Sequence, residues 1–507
     1  MPDSQTALPI QRSKTSYLFR VADRALSFPA AVTAILIGKI FWTCRERIVD
    51  TDLGWHLRNG QFILTNWRVP DNDFYSFTAA GSTWIDHSWL SEVFYFSAYR
   101  AFGLRGIFVL FLLTTIALVL TIFLLSLRRA EDPLSAAVVT IFGGLLAMVA
   151  FTPRAQNFGW LCFAAVFAIL LSYRETRRAP IWLLPVLFCF WINCHGSWPF
   201  GMAIFAMIFA AGFVRQDVGG VVAAPWTRAE TKYVAITLVA SIAALFVNPF
   251  GYRLVFYPID MAFWQTMNVS LGGEWASVDF NDTRGIFVMI VLAAVFVLAL
   301  LPRKPWRITD VLLTGFALFC GLKHIRFLVV TGIVLPPILA AQMGKLSSYD
   351  PKRERHLLNA TIILVVLVMV VWAFPNNQFL QSELDQYFPA RAIQYLSDHP
   401  QNGNLFNQYE WGGYLEWKLP QAKTFIDSRT DIFEYKGVLR DYIAVSTLNH
   451  AQELLDFYKV SYVLYPANSP LDYFLSRSPG WECIFLDRQA IIYRRAQPQA
   501  DHIAQGK

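Results

Sequence analysis

Long runs of apolar residues recur along the chain as far as residue 374, and short polar segments separate them. Most runs approach the length that a helix needs to cross a bilayer, which is roughly 20 residues. Because a backbone exposed to lipid must satisfy its own hydrogen bonds, the runs are predicted to be helices. We predict about eleven spans, over residues 25–43, 104–127, 134–151, 155–173, 180–195, 198–214, 232–248, 285–301, 308–322, 325–343 and 357–374.

The pattern changes after Phe374-Pro375. Short β-rich runs such as Val460–Tyr465 then alternate with helix-like segments such as His450–Tyr458, which is typical of a small α/β domain. Within this tail, Trp481–Arg494 predicts a β-hairpin with its turn at Asp487-Arg488-Gln489.

The predicted fold class is therefore a polytopic α-helical membrane protein with a C-terminal soluble α/β domain. We expect a cytoplasmic N-terminus over residues 1–24, a transmembrane domain over 25–374 that includes a first outer loop at 44–103, and the soluble domain over 375–507. The composition agrees, because hydrophobic residues make up 55% of the chain and charged residues only 16%.

Basic residues concentrate in every second loop, as they do in cytoplasmic loops. The predicted cytoplasmic side carries Arg12, Lys14, Arg20, Arg24, Arg128, Arg129, Arg174, Arg177, Arg178, Arg215, Arg228, Lys232, Arg303, Lys304, Arg307, Lys345, Lys352, Arg353 and Arg355. With an odd number of spans, we expect a multi-pass inner (plasma) membrane protein whose C-terminal domain is periplasmic. The net charge of +7 follows from this distribution, so no nucleic-acid partner is predicted.

Acidic and aromatic residues are concentrated in the first outer loop, in Asp50–Leu57, Val69–Ser76 and Trp84–Leu90. Other polar segments are predicted on the same side of the membrane, at Thr152–Asn157, Asn193–Trp198, Asn248–Arg253, Glu274–Ser277 and Lys323–Arg326. Polar groups near membrane depth are costly and usually line a cavity or a site. The sequence therefore predicts one outward-facing site.

The residue types in this site suit the transfer of a group from a lipid-linked phosphate. Asp50 and Asp52 are the candidate catalytic residues, because a carboxylate can accept a proton from an attacking hydroxyl. Arginine and lysine hold a phosphate leaving group, whose negative charge grows in the transition state. The candidate substrate-binding residues are His56, Arg154, His195, Glu274, Lys323 and Arg326.

Each candidate also has an ordinary structural role. The two aspartates suit helix capping, and His56 and His195 suit packing. Arginines near helix ends commonly extend to the membrane interface, and Glu274 suits a solvated loop. In the tail, Asp427 and Arg429 are interpreted as an internal ion pair, and Gly412-Gly413 as a site of close packing or a turn.

These segments resemble the GT-C glycosyltransferase superfamily, in particular a bacterial branch similar to protein mannosyltransferases and aminoarabinose transferases. The resemblance covers most of the chain. It rests on Asp50–His56, Pro70–Ser76, Trp84–Glu92, Pro153–Gln156, Asn193–Gly196, Asn248–Gly251, Glu274-Trp275, Tyr409–Leu415 and Phe425–Arg429.

The resemblance implies a polyprenyl-phosphate sugar donor, an envelope acceptor that is a lipid, glycan or protein, and an aspartate base in the first outer loop. Some relatives have an Asp-Glu pair there, whereas Thr51 separates Asp50 from Asp52, so the sequence leaves open which carboxylate acts. The Asp-x-Asp spacing is also compatible with a divalent metal, and the cofactor is left unknown.

Two other functions compete with a transferase. A transporter or flippase of lipid-linked glycans predicts charges at mid-span and pseudo-symmetric halves, but Lys39 is the main such charge and repeats are not apparent. A non-catalytic membrane protein of envelope assembly would need the soluble tail but tolerate loss of both aspartates.

Overall fold

The computed structural model describes residues 23–265, 267, 273–347, 349–350 and 352–496. Most of the predicted N-terminal segment 1–24 therefore lies outside the described residues. Up to residue 374 the described helices are α1 Phe28–Arg45, α2 Leu53–Asn66, α3 Trp89–Phe102, α4 Leu104–Arg129, α5 Pro133–Ala147, α6 Gln156–Thr176, α7 Leu184–Cys194, α8 Trp198–Ala211, α9 Arg228–Ala244, α10 Tyr252–Phe263, α11 Thr283–Leu300, α12 Ile308–Lys323, α13 Leu328–Gln342 and α14 His356–Trp372.

Helices occupy each of the eleven predicted spans. Six described helices are long and apolar enough to cross a membrane, and a bent pair brings the number to seven. The six are Phe28–Arg45, Leu104–Arg129, Pro133–Ala150, Gln156–Thr176, Thr283–Leu300 and Ile325–Gln342. The chain is thus a multi-pass membrane protein, and the count of eleven stays a prediction.

The centre of the membrane domain is formed by α13, which packs against α4, α5 and α12. A Cβ atom on Gly143 of α5 would overlap the carbonyl group of Gly332 on α13. Small residues let membrane helices approach this closely. By contrast, α11 and α14 leave most of their apolar side chains exposed on the outside of the bundle.

The tail begins with α15 Asn377–Tyr387, bent by 67° from α14. Its other elements are α16 Ala390–Asp398, β1 Asn404–Asn407, α17 Gly412–Lys418, α18 Thr430–Tyr435, α19 Val438–Ser446, α20 Ala451–Phe457, β2 Val460–Pro466, α21 Pro470–Leu475, β3 Trp481–Leu486 and β4 Ala490–Arg495. The sheet order is β1-β2-β4-β3, with β1 parallel to β2 and the other pairs antiparallel. The predicted hairpin is present as β3 and β4.

The first loop lies between the membrane domain and the tail. A Cβ atom on Gly54 of α2 would overlap the backbone of Gly413, so α2 and α17 meet with their backbones nearly in contact. A parallel bridge also joins Ser76 to Thr424. The close-packing interpretation of Gly412-Gly413 is confirmed, and this packing brings three parts of the chain around one space.

Candidate active site

A cavity of about 660 Å³ opens between the first loop, the membrane helices and the tail. The first loop contributes Asp52, Trp55, His56, Trp84 and His87; the membrane domain contributes Arg154, His195, Tyr257, Glu274, Trp275 and Arg326; the tail contributes Tyr409, Glu410, Ser428, Arg429, Thr430 and Asp431. The cavity is therefore assembled from residues that lie far apart in the sequence.

Arg154 is the centre of the charge cluster in this cavity. Its Nε lies 2.8 Å from a carboxylate oxygen of Asp50 and 3.0 Å from Oδ2 of Asp52. Its Nη1 lies 3.4 Å from Oε1 of Glu274, and its Nη2 donates to Oγ1 of Thr51 at 3.3 Å. The residue follows the short helical turn Met148–Ala150 and precedes α6, so the end of a membrane helix presents it.

The two aspartates of the first loop occupy different environments. Asp50 is buried with 2% of its side chain exposed, whereas Asp52 is 18% exposed and lines the cavity. Burial raises the pKa of Asp50 despite the charge of Arg154. Burial would also raise the pKa of Asp52, but the charges of Arg154 and His56 and the hydrogen bonds with Ser428 and Thr51 together outweigh burial, and the pKa is lowered. Asp52 is thus the aspartate that is both ionised and accessible.

Arg326 and Arg154 contact different carboxylate oxygens of Glu274. Its Nε is 4.0 Å from Oε2 of Glu274, and its guanidinium lies over the Trp275 ring at 4.3 Å. The Glu274 side chain is 54% exposed. Two arginines of the cavity thus share one exposed carboxylate, and arginines are well suited to bind phosphate.

The three remaining candidates are placed differently. His56 lines the cavity, and its Nδ1 lies 2.9 Å from Oε1 of Glu92. His195 also lines it, but its Nδ1 contacts Oγ of Ser197 at 2.9 Å, as in a residue that ends a helix. Lys323 does not line the cavity; its ammonium lies 5.7 Å from the centre of the Phe319 ring.

A second arginine cluster lies in the wall formed by the tail. Nη2 of Arg429 lies 2.6 Å from Asp427 Oδ2, 2.8 Å from Asp73 Oδ1 and 3.7 Å from Glu416 Oε1. The guanidinium packs over the rings of Tyr75 and Trp84. The predicted ion pair between Asp427 and Arg429 is confirmed, and through Asp73 it also joins the tail to the first loop.

Several cavity residues were not among the candidates. His87 stacks on Tyr257, with 4.8 Å between ring centroids, and burial lowers the pKa of His87 to about 4. Asp431 accepts a hydrogen bond from the Tyr257 hydroxyl at 3.2 Å. His87 lies inside the aromatic segment Trp84–Leu90, which was the available signal, whereas nothing in the sequence distinguishes Tyr257 or Asp431. Among the described residues, no group of three or more His, Cys, Asp or Glu side chains is arranged to hold a metal ion.

Neither a protein family model nor a curated protein matches the sequence. The structure, however, is similar to the crystal structures of ArnT from Cupriavidus metallidurans, bound to undecaprenyl phosphate and in the apo state. Each comparison covers 95% of this chain and 98% of ArnT, with a TM-score of 0.52 and 12% sequence identity. At this identity the likeness establishes the fold alone. The chain therefore has the fold of ArnT, which agrees with the fold that the sequence resemblance implied.

Proposed function

We propose that the protein is a membrane glycosyltransferase. It transfers a sugar from a polyprenyl-phosphate donor to an envelope acceptor, a lipid, glycan or protein, at the outer face of the inner membrane. The observation that carries the proposal is the convergence of Asp52, Arg154 and Arg326 on one cavity. These are the groups that a displacement at a sugar phosphate requires: a base for the attacking group and cations for the leaving phosphate.

In the proposed reaction, a hydroxyl or amine of the acceptor attacks the anomeric carbon of the donor sugar. A bond forms from the acceptor atom to that carbon, and the bond from the carbon to the phosphate oxygen breaks. The phosphate keeps the electron pair, and its growing charge is stabilised by Arg154 and Arg326. The proton of the attacking group moves to Asp52, which is ionised because its pKa is lowered: burial opposes this, but the charge of Arg154 and the other contacts of Asp52 together outweigh burial.

Asp50 and Glu274 have supporting roles in this proposal. Asp50 is held against Arg154 at 2.8 Å and does not line the cavity, so it positions the arginine. The carboxylate of Glu274 lies between the two arginines and occupies the place that a phosphate would take. His195 forms part of the cavity wall, and Lys323 provides positive charge near the membrane surface.

The presence of an apolar groove favours the proposal that the donor is lipid-linked. The groove has a volume of about 430 Å³ and lies between α5, α11 and α13, with only apolar side chains along its lining. A smaller apolar pocket shares Leu146 and Val291 with it and extends to Leu322 and Leu328. Leu328 is close in sequence to Arg326, and in this proposal the lipid chain lies along the apolar surface with its phosphate at Arg326. ArnT is bound to undecaprenyl phosphate in one of its structures, a lipid of the class proposed here.

The test is a transfer assay with the full chain in nanodiscs. Wild type, Asp52→Asn and the control Asp71→Asn, an exposed aspartate in the same loop, are incubated with a panel of polyprenyl-phosphate sugars and acceptor extracts. We expect release of polyprenyl phosphate by wild type and the control, and a loss of about 10³-fold in Asp52→Asn. Equal release by Asp52→Asn and wild type would contradict the assigned base. Translocation of the intact donor without release would instead identify a flippase.

A further inference from the structure

A buried polar cluster lies directly behind the cavity wall. Nδ1 of His56 lies 2.9 Å from Oε1 of Glu92, which also accepts a hydrogen bond from Oγ of Ser88 at 3.0 Å. The amide nitrogen of Asn59 contacts the second oxygen of Glu92 and also donates to Oδ2 of Asp86. His56, Glu92 and Asp86 are each at most 3% exposed. Hydrogen-bonded networks in a protein interior hold their members rigidly, so this cluster fixes the position of the His56 ring.

His56 is the member of this cluster that reaches the cavity. Its ring is part of the cavity lining, and the residue lies on the first turn of α2, whose N-cap residue, Asp52, also lines the cavity. The Trp55 ring packs 3.8 Å from it and restricts its orientation. Nδ1 is taken by Glu92, whereas no hydrogen-bond partner is present for Nε2 among the residues that the structure describes.

Resting on the proposed function, we propose that Glu92 is a positioning residue for His56. It holds His56 in the tautomer with a proton on Nδ1 and none on Nε2, so that His56 accepts the proton that the attacking group has given to Asp52. A carboxylate that fixes the tautomer of a histidine and stabilises its charged form is a general way to prepare a proton acceptor.

The proton balance of this relay is simple. The attacking group loses its proton to Asp52 as the new bond to the anomeric carbon forms. The proton then moves from Asp52 to Nε2 of His56, which becomes an imidazolium while Asp52 returns to a carboxylate. The Nδ1 proton stays on His56 and remains hydrogen-bonded to the Glu92 carboxylate. After product release, Nε2 gives its proton to water that enters the open cavity.

Charged groups from several elements face this pair. Burial lowers the pKa of His56 and the charge of Arg154 adds to this, so the resting imidazole is neutral, whereas the carboxylates of Asp52, Asp50 and Asp86 oppose the shift and favour the charged ring. Burial raises the pKa of Glu92, whereas contacts with Asn59, Asp86 and Ser88 and the charge of Arg429 lower it. Burial raises the pKa of Asp86 well above its usual value, and the nearby charge of Glu92 adds to this effect.

The relay makes turnover sensitive to pH. Burial raises the pKa of Glu92 to about 7. Above this pH the Glu92 carboxylate accepts the Nδ1 proton of His56, and Nε2 is free to act. Below it, protonated Glu92 donates to Nδ1, and the proton of a neutral His56 moves to Nε2, which no longer accepts one. We therefore expect kcat to fall as the pH decreases through about 7.

The experiment measures kcat for polyprenyl phosphate release from pH 5.5 to 9 in wild type, His56→Asn, Glu92→Gln and the double variant. We expect losses of about 10²-fold for His56→Asn and about tenfold for Glu92→Gln, with little change in the donor KM. The double variant should match His56→Asn, because Glu92 acts through His56. The acid limb near pH 7 should be absent in Glu92→Gln.

The chain contains a matched control pair. His450 and Glu453 form the same type of contact at 2.8 Å, but both are exposed on the tail. His450→Asn and Glu453→Gln should retain wild-type kcat and pH dependence. If Asp52→Asn abolishes transfer while the His56 and Glu92 variants keep both the wild-type rate and the acid limb, the relay is wrong and the proposed function stands. A wild type that is inactive with every donor overturns both.

Loss of folding in His56→Asn would require a separate measurement. His56→Gly leaves a space beside the cavity that imidazole can enter, and added imidazole should restore turnover at least tenfold, more strongly above pH 7 where imidazole is neutral. Folding is checked by the melting temperature of each variant in the same nanodiscs. A folded His56→Gly protein that imidazole does not rescue overturns the role of His56 as a proton acceptor.

Discussion

Two arginine clusters built from similar groups line the same cavity, but they differ in burial. Arg154 contacts Asp50, Asp52 and Glu274, and its side chain is 21% exposed. Arg429 contacts Asp73, Asp427 and Glu416, and its side chain is 1% exposed. Every carboxylate around Arg429 is buried as well, whereas Glu274 beside Arg154 is 54% exposed.

This difference indicates what each cluster can do. Around Arg154, an exposed carboxylate can move away and leave the guanidinium to a phosphate. Around Arg429, all partners are fixed, and separating any one of them would leave an unpaired buried charge. The exposed cluster is therefore suited to binding, and the buried cluster to holding the tail against the first loop. Residue type alone does not distinguish the two.

The largest effect on stability is expected from Arg429→Met. This change leaves Asp73 and Asp427 buried without their cation, which costs about 3–5 kcal/mol. The melting temperature of the purified protein should fall far more than for Arg440→Met, an exposed arginine of the same domain. Equal melting temperatures for the two variants would show that the buried cluster does not hold the domains together.

In contrast to Arg429→Met, Arg154→Gln should reduce activity more than stability. We expect kcat for donor cleavage to fall about 10²-fold, as for other losses of a transition-state donor, while stability falls by about 2 kcal/mol. Single-turnover kinetics and thermal unfolding measure the two quantities on one sample. A variant that unfolds as readily as Arg429→Met, or that keeps full activity, would remove the distinction between the clusters.

Glu274→Gln tests whether this carboxylate competes with phosphate. Removing its charge should lower the donor KM by about fivefold or less, since exposed ion pairs contribute roughly 1 kcal/mol. Glu46→Gln, an exposed site at the end of α1, provides the control. A higher KM in Glu274→Gln would show instead that Glu274 contacts the substrate, which is the other role that the sequence suggested for it.

The smallest expected effect is a change in how the melting temperature depends on pH. Burial raises the pKa of Glu92 and of Asp431 to about 7, whereas carboxyl groups in the unfolded chain have a pKa of about 4. Between these two pH values the folded protein binds more protons than the unfolded protein. The stability that the two carboxyl groups contribute is therefore fully present below pH ~4 and is lost as the pH rises through about 7. Melting temperatures from pH 5 to 8.5 should therefore decrease less in Glu92→Gln and Asp431→Asn than in wild type. A steeper decrease in either variant would contradict the sign.

Much of the fold was predictable because it depends on local patterns. The length of the apolar runs predicted eleven spans, each of which contains a helix, and the sequence pattern of Trp481–Arg494 predicted the hairpin. The count of crossings was less accessible, because α7 and α8 are short and the break at Pro375 bends the chain between α14 and α15. Length and hydropathy do not determine whether a short or bent apolar helix crosses the whole bilayer.

The sequence by itself determined the membrane class of the chain and predicted which residue types a candidate site would contain. It selected Asp50, Asp52, His56, Arg154 and Arg326 as candidates, because charge at a predicted membrane boundary is costly enough to be informative.

Only the tertiary structure separated Asp50 from Asp52, paired His56 with Glu92 and left Lys323 outside the cavity. It also showed that Arg429, from the distant tail, belongs to the same cavity. The physical reason is that burial, and with it the pKa and accessibility of a charge, depends on which segments pack together across hundreds of residues.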